Sequence, residues 1–283
     1  MDWIDRLNAS VNYLEEHLTE DIDYGKAAQT ACCSVYHYQR IFAYLAGIPL
    51  SEYLRRRRMS LAAVDLMNGE KVVDTALKYG YASPTAFNRA FQRVHGVTPS
   101  AVQHGTAPVK AYPPLSFKIT VQGVTEMEYR IEKRDAFRVV GVSEELSAEM
   151  EQNFERVPQF WGRATMDGTL PALAALMDSN PKGMLGICSS GDGEDWRYSI
   201  AVASTQEPPQ GMEAWEIPAF TWAVFPGQGP CPQSIQELMQ RIVREWLPAS
   251  GYAYADGPDV EAYLEPDMSN PKFEVWIPVE KQE

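Results

Sequence analysis

The stretch at residues 78–102, KYGYASPTAFNRAFQRVHGVTPSAV, admits few folds. Gly80 ends one short helix. Ser83 stands at an N-cap position, and Pro84 follows at the first helical position, where its missing N–H leaves nothing unsatisfied. Phe87, Ala90, Phe91 and Val94 recur at helical spacing as one apolar stripe. Thr85, Asn88, Arg89 and Gln92 fall on the opposite face. Gly96 closes the helix, and Thr98-Pro99 opens another. A short helix, a tight turn and a second helix with a hydrogen-bonding outer face form the pattern of a helix-turn-helix. The plainer alternative is a helical hairpin with a solvated face.

The pattern occurs a second time upstream. Residues 24–31 predict a short helix capped by Asp23, with Cys32-Cys33 as the turn. Ser34 caps a helix through Leu45 that ends at Gly47. Val35, Tyr38, Ile41, Phe42 and Leu45 form its buried stripe, and Tyr36, Gln39, Arg40 and Ala43 its outer face. Ahead of it, Trp3, Ile4, Leu7, Val11, Leu14 and Leu18 mark an amphipathic first helix. Between the motifs, residues 50–67 predict one helix capped by Ser51 and about 25 Å long. Such a connector can hold two recognition helices near the ~34 Å spacing of successive major grooves. It carries the run Arg55-Arg56-Arg57-Arg58. Four consecutive helical positions sweep about 300°, so at most two or three can face DNA together; Arg55 and Arg56 are assigned to phosphate. Residues 72–79 are expected to pack with Val72, Val73, Ala76 and Leu77 inward.

The net charge of −13 argues against a polyanionic partner until its distribution is followed. Residues 24–110 hold eleven Lys and Arg against four Asp and Glu; residues 1–23 hold one against seven, and 111–283 thirteen against twenty-seven. A basic segment between acidic ones is the footprint of a nucleic-acid contact confined to one domain. No apolar run approaches membrane-helix length. The acidic, amphipathic N-terminus is neither a signal nor a transit peptide. Cys32, Cys33, Cys188 and Cys231 show no CxxC spacing, as expected of thiols in a reducing cytoplasm.

Beyond a Pro- and Gly-rich linker the pattern changes. Strands are predicted at 128–132 and 137–142, helices at 154–166 and 170–177, and a hairpin at 184–189 and 196–203 around Gly191-Asp192-Gly193. The order then recurs: strands at 212–213 and 220–225, a helix at 235–247, a hairpin at 260–265 and 273–279. Strand, helix, strand, strand, twice over, is a doubled unit. The fold class is therefore multidomain. An all-α N-terminal domain with two helix-turn-helix motifs (1–105) and a linker (106–122) precede an α+β domain with a doubled strand-helix-strand-strand unit (123–283).

Two resemblances follow. Gly80-Tyr81, Ser83, Phe87, Arg89, Phe91, Gly96 and Thr98-Pro99, with SVYHYQRIFAYLAGIPLSEYLRRRRMSLAA upstream, resemble AraC/XylS-type transcription regulators. The doubled unit, above all VEAYLEP and FEVWIPVEK, resembles a GyrI-like effector-binding domain. The succession resembles Rob-type regulators. The resemblance implies double-stranded DNA, a small-molecule effector of the multidrug type and RNA polymerase as partners, with no membrane and no cofactor.

In the first half, Lys and Arg are expected on phosphate, and the outer helix faces on bases. Arg40 and Arg89 offer a fork to guanine, Gln39 and Asn88 suit adenine, and Tyr36 and Thr85 can meet thymine methyls. In the second half, alternation along the last hairpin places Ala262, Leu264, Val275 and Ile277 on one face. It places Glu261, Tyr263, Glu265, Glu274 and Trp276 on the other. Rings around a carboxylate suit a hydrophobic cation. Glu274 is assigned as the counter-charge, since the family resemblance puts its ligand-binding Glu in this strand. Tyr263 and Trp276 stand beside it, and Trp161, Tyr198 and Trp222 complete the box. A Glu among rings is expected to have a pKa above that of a free Glu. The plainer reading is a packed aromatic core with Glu274 paired to a base. The sequence shows no Ser/His/Asp set, metal cluster or phosphate-binding Gly loop. A non-enzymatic regulator is expected; the alternative is a GyrI-like hydrolase or sequestering protein fused to a DNA-binding domain.

Overall fold

A computed structural model describes residues 3–118, 126–147, 150–190, 196–265 and 270–281. The chain divides into two compact units, Met1–Lys118 and Ile119–Glu283. No helix of the described residues is long and apolar enough to cross a membrane.

The first unit is helical: α1 (Trp3–Glu16), α2 (Tyr24–Thr30), α3 (Val35–Ala46), α4 (Leu50–Met67), α5 (Val72–Lys78), α6 (Pro84–His95) and α7 (Pro99–Gln103). Local chemistry sets the boundaries. Asp23, Ser34, Ser83 and Thr98 accept hydrogen bonds from the backbone N–H three residues on. Gly47 and Gly96 end α3 and α6 at φ of 71° and 81°, in the left-handed region that a Cβ disfavours. Helix α4 is capped at Pro49 with no side-chain hydrogen bond, two residues before the expected cap at Ser51. The inward face of α5 also differs from expectation. Thr75 and Ala76 are buried, while Val73 and Leu77 are 52% and 63% exposed. Tyr79, buried just beyond α5, donates from its hydroxyl to Asp65 on α4 at 2.8 Å, and this anchor fixes the rotation.

A buried ion pair ties α1 to α4. Arg57 is 7% exposed and donates to both oxygens of Glu15, at 2.7 to 3.0 Å. Tyr53 donates to the same carboxylate at 2.7 Å. The stretch expected as a linker joins this network. The Arg57 guanidinium donates to the Tyr112 carbonyl, Leu115 N–H donates to the Tyr53 hydroxyl, and Phe117 exchanges two hydrogen bonds with Asn8. Lys110 N–H donates to His95 Nδ1, so the Nε2 of that ring carries the proton and donates to the Met59 carbonyl. Residues 110–117 thus run as a strap across α1, α4 and α6. Residues 119–122 of the expected linker lie outside the described residues.

The second unit is a mixed α+β layer: β1 (Arg130–Arg134), β2 (Phe137–Glu145), α8 (Met150–Met166), α9 (Thr169–Leu176), β3 (Met184–Ser190), β4 (Trp196–Ala203), β5 (Glu213–Ile217), β6 (Phe220–Gln228), α10 (Gln233–Arg241), β7 (Tyr252–Tyr254), β8 (Asp259–Tyr263) and β9 (Lys272–Lys281). The expected turn at Gly191-Asp192-Gly193 lies outside the described residues. The antiparallel sheet runs β1-β6-β9-β8-β3-β4-β2-β5, with β7 added on β9. This order is unchanged when the halves are exchanged (β1 for β5, β2 for β6, β3 for β8, β4 for β9) and reversed. The doubled unit is therefore a pseudo-twofold sheet whose axis passes between β3 and β8.

Asp135-Ala136 alone joins β1 to β2, although six strand spacings separate them, about 29 Å in a flat sheet. Two linking residues span at most about 11 Å. The sheet must roll. Its concave face gathers Val139, Ile217, Trp222, Val224, Val260 and Trp276, from both ends of the strand order, into one buried apolar cluster. The helices lie on the convex face, where Trp246 stands edge-on to Phe225 at 5.0 Å and Trp161 to Tyr263 at 5.0 Å.

Candidate DNA-binding face and effector site

On α6, Thr85, Arg89 and Gln92 are exposed and Asn88 half-buried, while Phe87, Phe91 and Val94 are in the core. Gln92 donates to Asn88 at 3.3 Å, which orients that amide. On α3, Tyr36 and Gln39 are half-exposed. Arg40 departs from the expected outward face. It is 9% exposed, donates from Nε to the Tyr44 hydroxyl at 3.4 Å and lies against the rings of Tyr36 and Tyr44. The aromatic pair draws the long side chain back along the helix.

The arginine run is also drawn inward. Arg55 and Arg56 both pair with Glu52, Arg57 with Glu15, and Arg58 donates to the carbonyls of Leu18 and Glu20. Arg55 and Arg56, assigned to phosphate, are both held by the one Glu52 carboxylate in this structure. Among the described residues Arg89 and Arg93 make no ion pair.

In the second unit, pairing sorts the aromatic residues differently from strand alternation alone. Directly paired residues of an antiparallel ladder share a face. Glu274 pairs with Ala262 and Pro226, Trp276 with Val260 and Val224, and Tyr263 with Phe273. Glu274, Trp276 and Trp222 therefore belong to the concave face, and Glu261, Tyr263 and Tyr198 to the convex, helix-covered one. The grouping of Tyr263 with Glu274 is corrected: the two strands meet one residue out of the assumed phase. Trp222, wholly buried beside Trp276, is core rather than ligand box. Glu274 accepts both ends of the Arg130 guanidinium at 2.8 and 3.1 Å and the Trp276 Nε1–H at 2.9 Å. Burial by itself raises its pKa, but the Arg130 and Trp276 hydrogen bonds outweigh that and hold it below the usual glutamate value. The expected raised pKa is thus reversed, because a base already occupies the counter-charge position.

The convex face carries the other constellation. Glu261 on β8 accepts on one oxygen from both the Tyr198 and Tyr263 hydroxyls, each at 3.0 Å. Trp161, from α8, donates its Nε1–H to the Tyr198 oxygen at 3.0 Å and stands edge-on to Tyr263. Both phenols are buried, and desolvation followed by the Glu261 charge holds each well above its ordinary pKa. They stay protonated donors. Burial and the same carboxylate push the Cys231 thiol up to about 11, so it is no nucleophile at neutral pH. Gly186 pairs with Glu261 across β3–β8 and makes room for the cluster. A Cβ there would sit 2.2 Å from the Tyr198 oxygen and 3.1 Å from the carboxylate. Trp161, Tyr198 and Tyr263 meet around Glu261 rather than Glu274, and the sequence reading gave Glu261 no part in the box. Its signal was the i, i+2 spacing to Tyr263 on one strand. Among the described residues no His/Cys/Asp/Glu group could hold a metal, and none of the four cysteines is in a disulfide.

Two capped helix-turn-helix motifs, followed by a doubled sheet with a carboxylate and aromatic rings beneath a helix, define a DNA-binding regulator with an effector-binding domain. Residues 130–279 match the family of integron-associated effector binding proteins, Cass2, and residues 27–105 match a helix-turn-helix domain family. The chain belongs to the Cass2 effector-binding family, here carried by an AraC-type regulator. It is similar to the right origin-binding protein of Escherichia coli K12, at 24% identity over 95% of this chain and 96% of that protein. It is also similar to the transcriptional regulator Rob of Salmonella typhimurium, at 24% identity over 89% of this chain and 87% of that one. The regulatory protein SoxS of S. typhimurium is 34% identical over 33% of this chain and 89% of its own. The structure of SAV2435 bound to tetraphenylphosphonium shares the fold of the second unit, with TM-score 0.50 and 22% identity over 54% of this chain and 94% of that one.

Gly186→Ala should destabilise the full chain by about 1–3 kcal/mol, because the Tyr198 phenol must leave Glu261. Gly162→Ala, on α8 with nothing within 4 Å of the new Cβ, should stabilise it by about 0.5–1 kcal/mol. Urea unfolding of the two variants checks the opposite signs.

Proposed function

We propose that this regulator responds to a hydrophobic organic cation held against Glu261 on the convex face of the sheet, and that ligand binding modulates its action on DNA and RNA polymerase in the cytoplasm. The carrying observation is a carboxylate fixed by two buried phenols and covered by Trp161. A diffuse cation loses little hydration on entry, the rings give it area and cation–π attraction, and the carboxylate supplies the counter-charge. The phenols cannot neutralise Glu261, since they remain neutral donors. Trp161 stands over the cluster, so a bulky ligand enters by displacing it. The tetraphenylphosphonium complex of a fold neighbour supports this reading.

In the first unit we assign base reading to the outer face of α6, through Thr85, Asn88 and Arg89, with Tyr36 and Gln39 of α3 at the second half-site. Arg40 is assigned to packing, and Arg55 and Arg56 reach phosphate only by releasing Glu52.

Glu261→Gln keeps the shape of the cluster and removes its charge. Calorimetry of the full chain should show tetraphenylphosphonium weakened about 10- to 100-fold. Neutral triphenylphosphine oxide should change by less than about threefold. Equal losses for both, or the same cation loss in Glu274→Gln, would reject the assignment.

Duplex binding should fall with salt along a log–log slope of about −5, for some six phosphate contacts. Arg89→Ala should cost about 1–3 kcal/mol on the specific site and relax preference at one base pair. Arg40→Ala should lower the unfolding midpoint instead. A footprinting titration and a melting curve separate these outcomes; base-specific loss from Arg40→Ala would reverse the division.

A further inference from the structure

The concave face ends in a cavity that the cation reading does not use. It measures about 340 Å³ and is lined by Arg130, Arg134, Lys182, Glu274, Trp276 and Leu264, with Asn180 and Pro181 at the rim. That volume lies at the lower end of small-molecule pockets. Its floor is the Trp276 indole, with the Arg134 guanidinium stacked over it at 4.7 Å. Leu264 is 47% exposed and gives an apolar wall.

The charges decide what fits. Glu274, the single carboxylate of the lining, already accepts from Arg130 and Trp276. A cation entering here would have to displace a bidentate guanidinium, a pairing stronger and better oriented than a lone charge offers. Glu132, paired behind them with Arg130 and Arg134, balances one base. The five ionisable groups leave a net positive charge in a unit that is acidic as a whole. Lys182 is exposed and makes no ion pair among the described residues. Arg134 Nε is buried with no acceptor among them, an unusual state for a guanidinium donor.

We propose that this cavity is a second ligand site, selective for a small apolar carboxylate whose head group meets Lys182 and Arg134 and whose body lies against Leu264 and Pro181. It has the opposite charge preference to the Glu261 cluster and lies on the opposite face of the same strands. One sheet then presents a cation site and an anion site back to back.

The probe is 1-naphthoate, titrated by calorimetry into the full chain beside the neutral 1-naphthylmethanol. Naphthoate should bind with a Kd below about 1 mM and at least about tenfold tighter than the alcohol. Lys182→Glu, an exposed position that does not endanger folding, should weaken naphthoate about tenfold or more and leave the alcohol unchanged. Arg134→Gln should do the same. Excess tetraphenylphosphonium should leave naphthoate bound. Absence of saturable binding, equal affinity for acid and alcohol, full affinity in Lys182→Glu, or displacement by tetraphenylphosphonium would each overturn the site. None of these results depends on whether Glu261 holds a cation.

Discussion

Two short links govern the effector-binding unit. Asp135-Ala136 and Pro218-Ala219 each join strands that lie six places apart in the sheet. The sheet rolls because those links are too short to do otherwise. Rolling makes the two faces unequal. The inner face closes on itself and must be filled, and Trp222 and Trp276 fill it at a ring separation of 5.8 Å. Polar chemistry is left to the rim of the roll, where Arg130 and Glu274 meet, and to the outer face, where helices cover the strands. Glu261 sits on that outer face near the pseudo-twofold axis, opposite a glycine that leaves room for a phenol. The position of the proposed cation site thus follows from the length of two turns.

The DNA-binding unit follows a different economy. Much of its positive charge is used to hold it together. Arg57 lies in a buried pair with Glu15, where removing either partner would leave an uncompensated charge. Arg58 ties the turn that follows the first helix to the connector. The strap at residues 110–117 is bonded to three helices, so the segment leading toward the effector-binding unit belongs to the DNA-binding fold. The DNA-binding face proposed above is therefore narrower than the basic composition suggests: the outer face of α6, part of α3, and those arginines that release their acidic partners.

The parts legible from sequence are those fixed by local chemistry. Ser34, Ser83, Gly47 and Gly96 mark helix ends through bonds that span three or four residues, and those ends were predicted correctly. The doubled order of strands and helices was legible for the same reason, since each element carries its own period. Rotation of the seven-residue α5 was not, because so short a helix has too few positions to define a stripe, and a bond from Tyr79 to Asp65 settled it. The phase between β8 and β9 was not legible either. Alternation sorts one strand at a time, and only the pairing of Ala262 with Glu274 shows which faces coincide. That single residue of register puts Tyr263 on the face of Glu261 and away from Glu274. Pairing of a carboxylate with Arg130, more than a hundred residues away, is likewise invisible to any local pattern.

The most direct test of the effector site is a crystal structure of the full chain with tetraphenylarsonium, the arsenic located by anomalous scattering. The predicted result is a peak on the helix-covered face, with Glu261 as the nearest carboxylate, the Tyr198 and Tyr263 rings in contact and Trp161 displaced. A peak beside Glu274 and Trp276 on the concave face, or none on either face at saturating ligand, would contradict it.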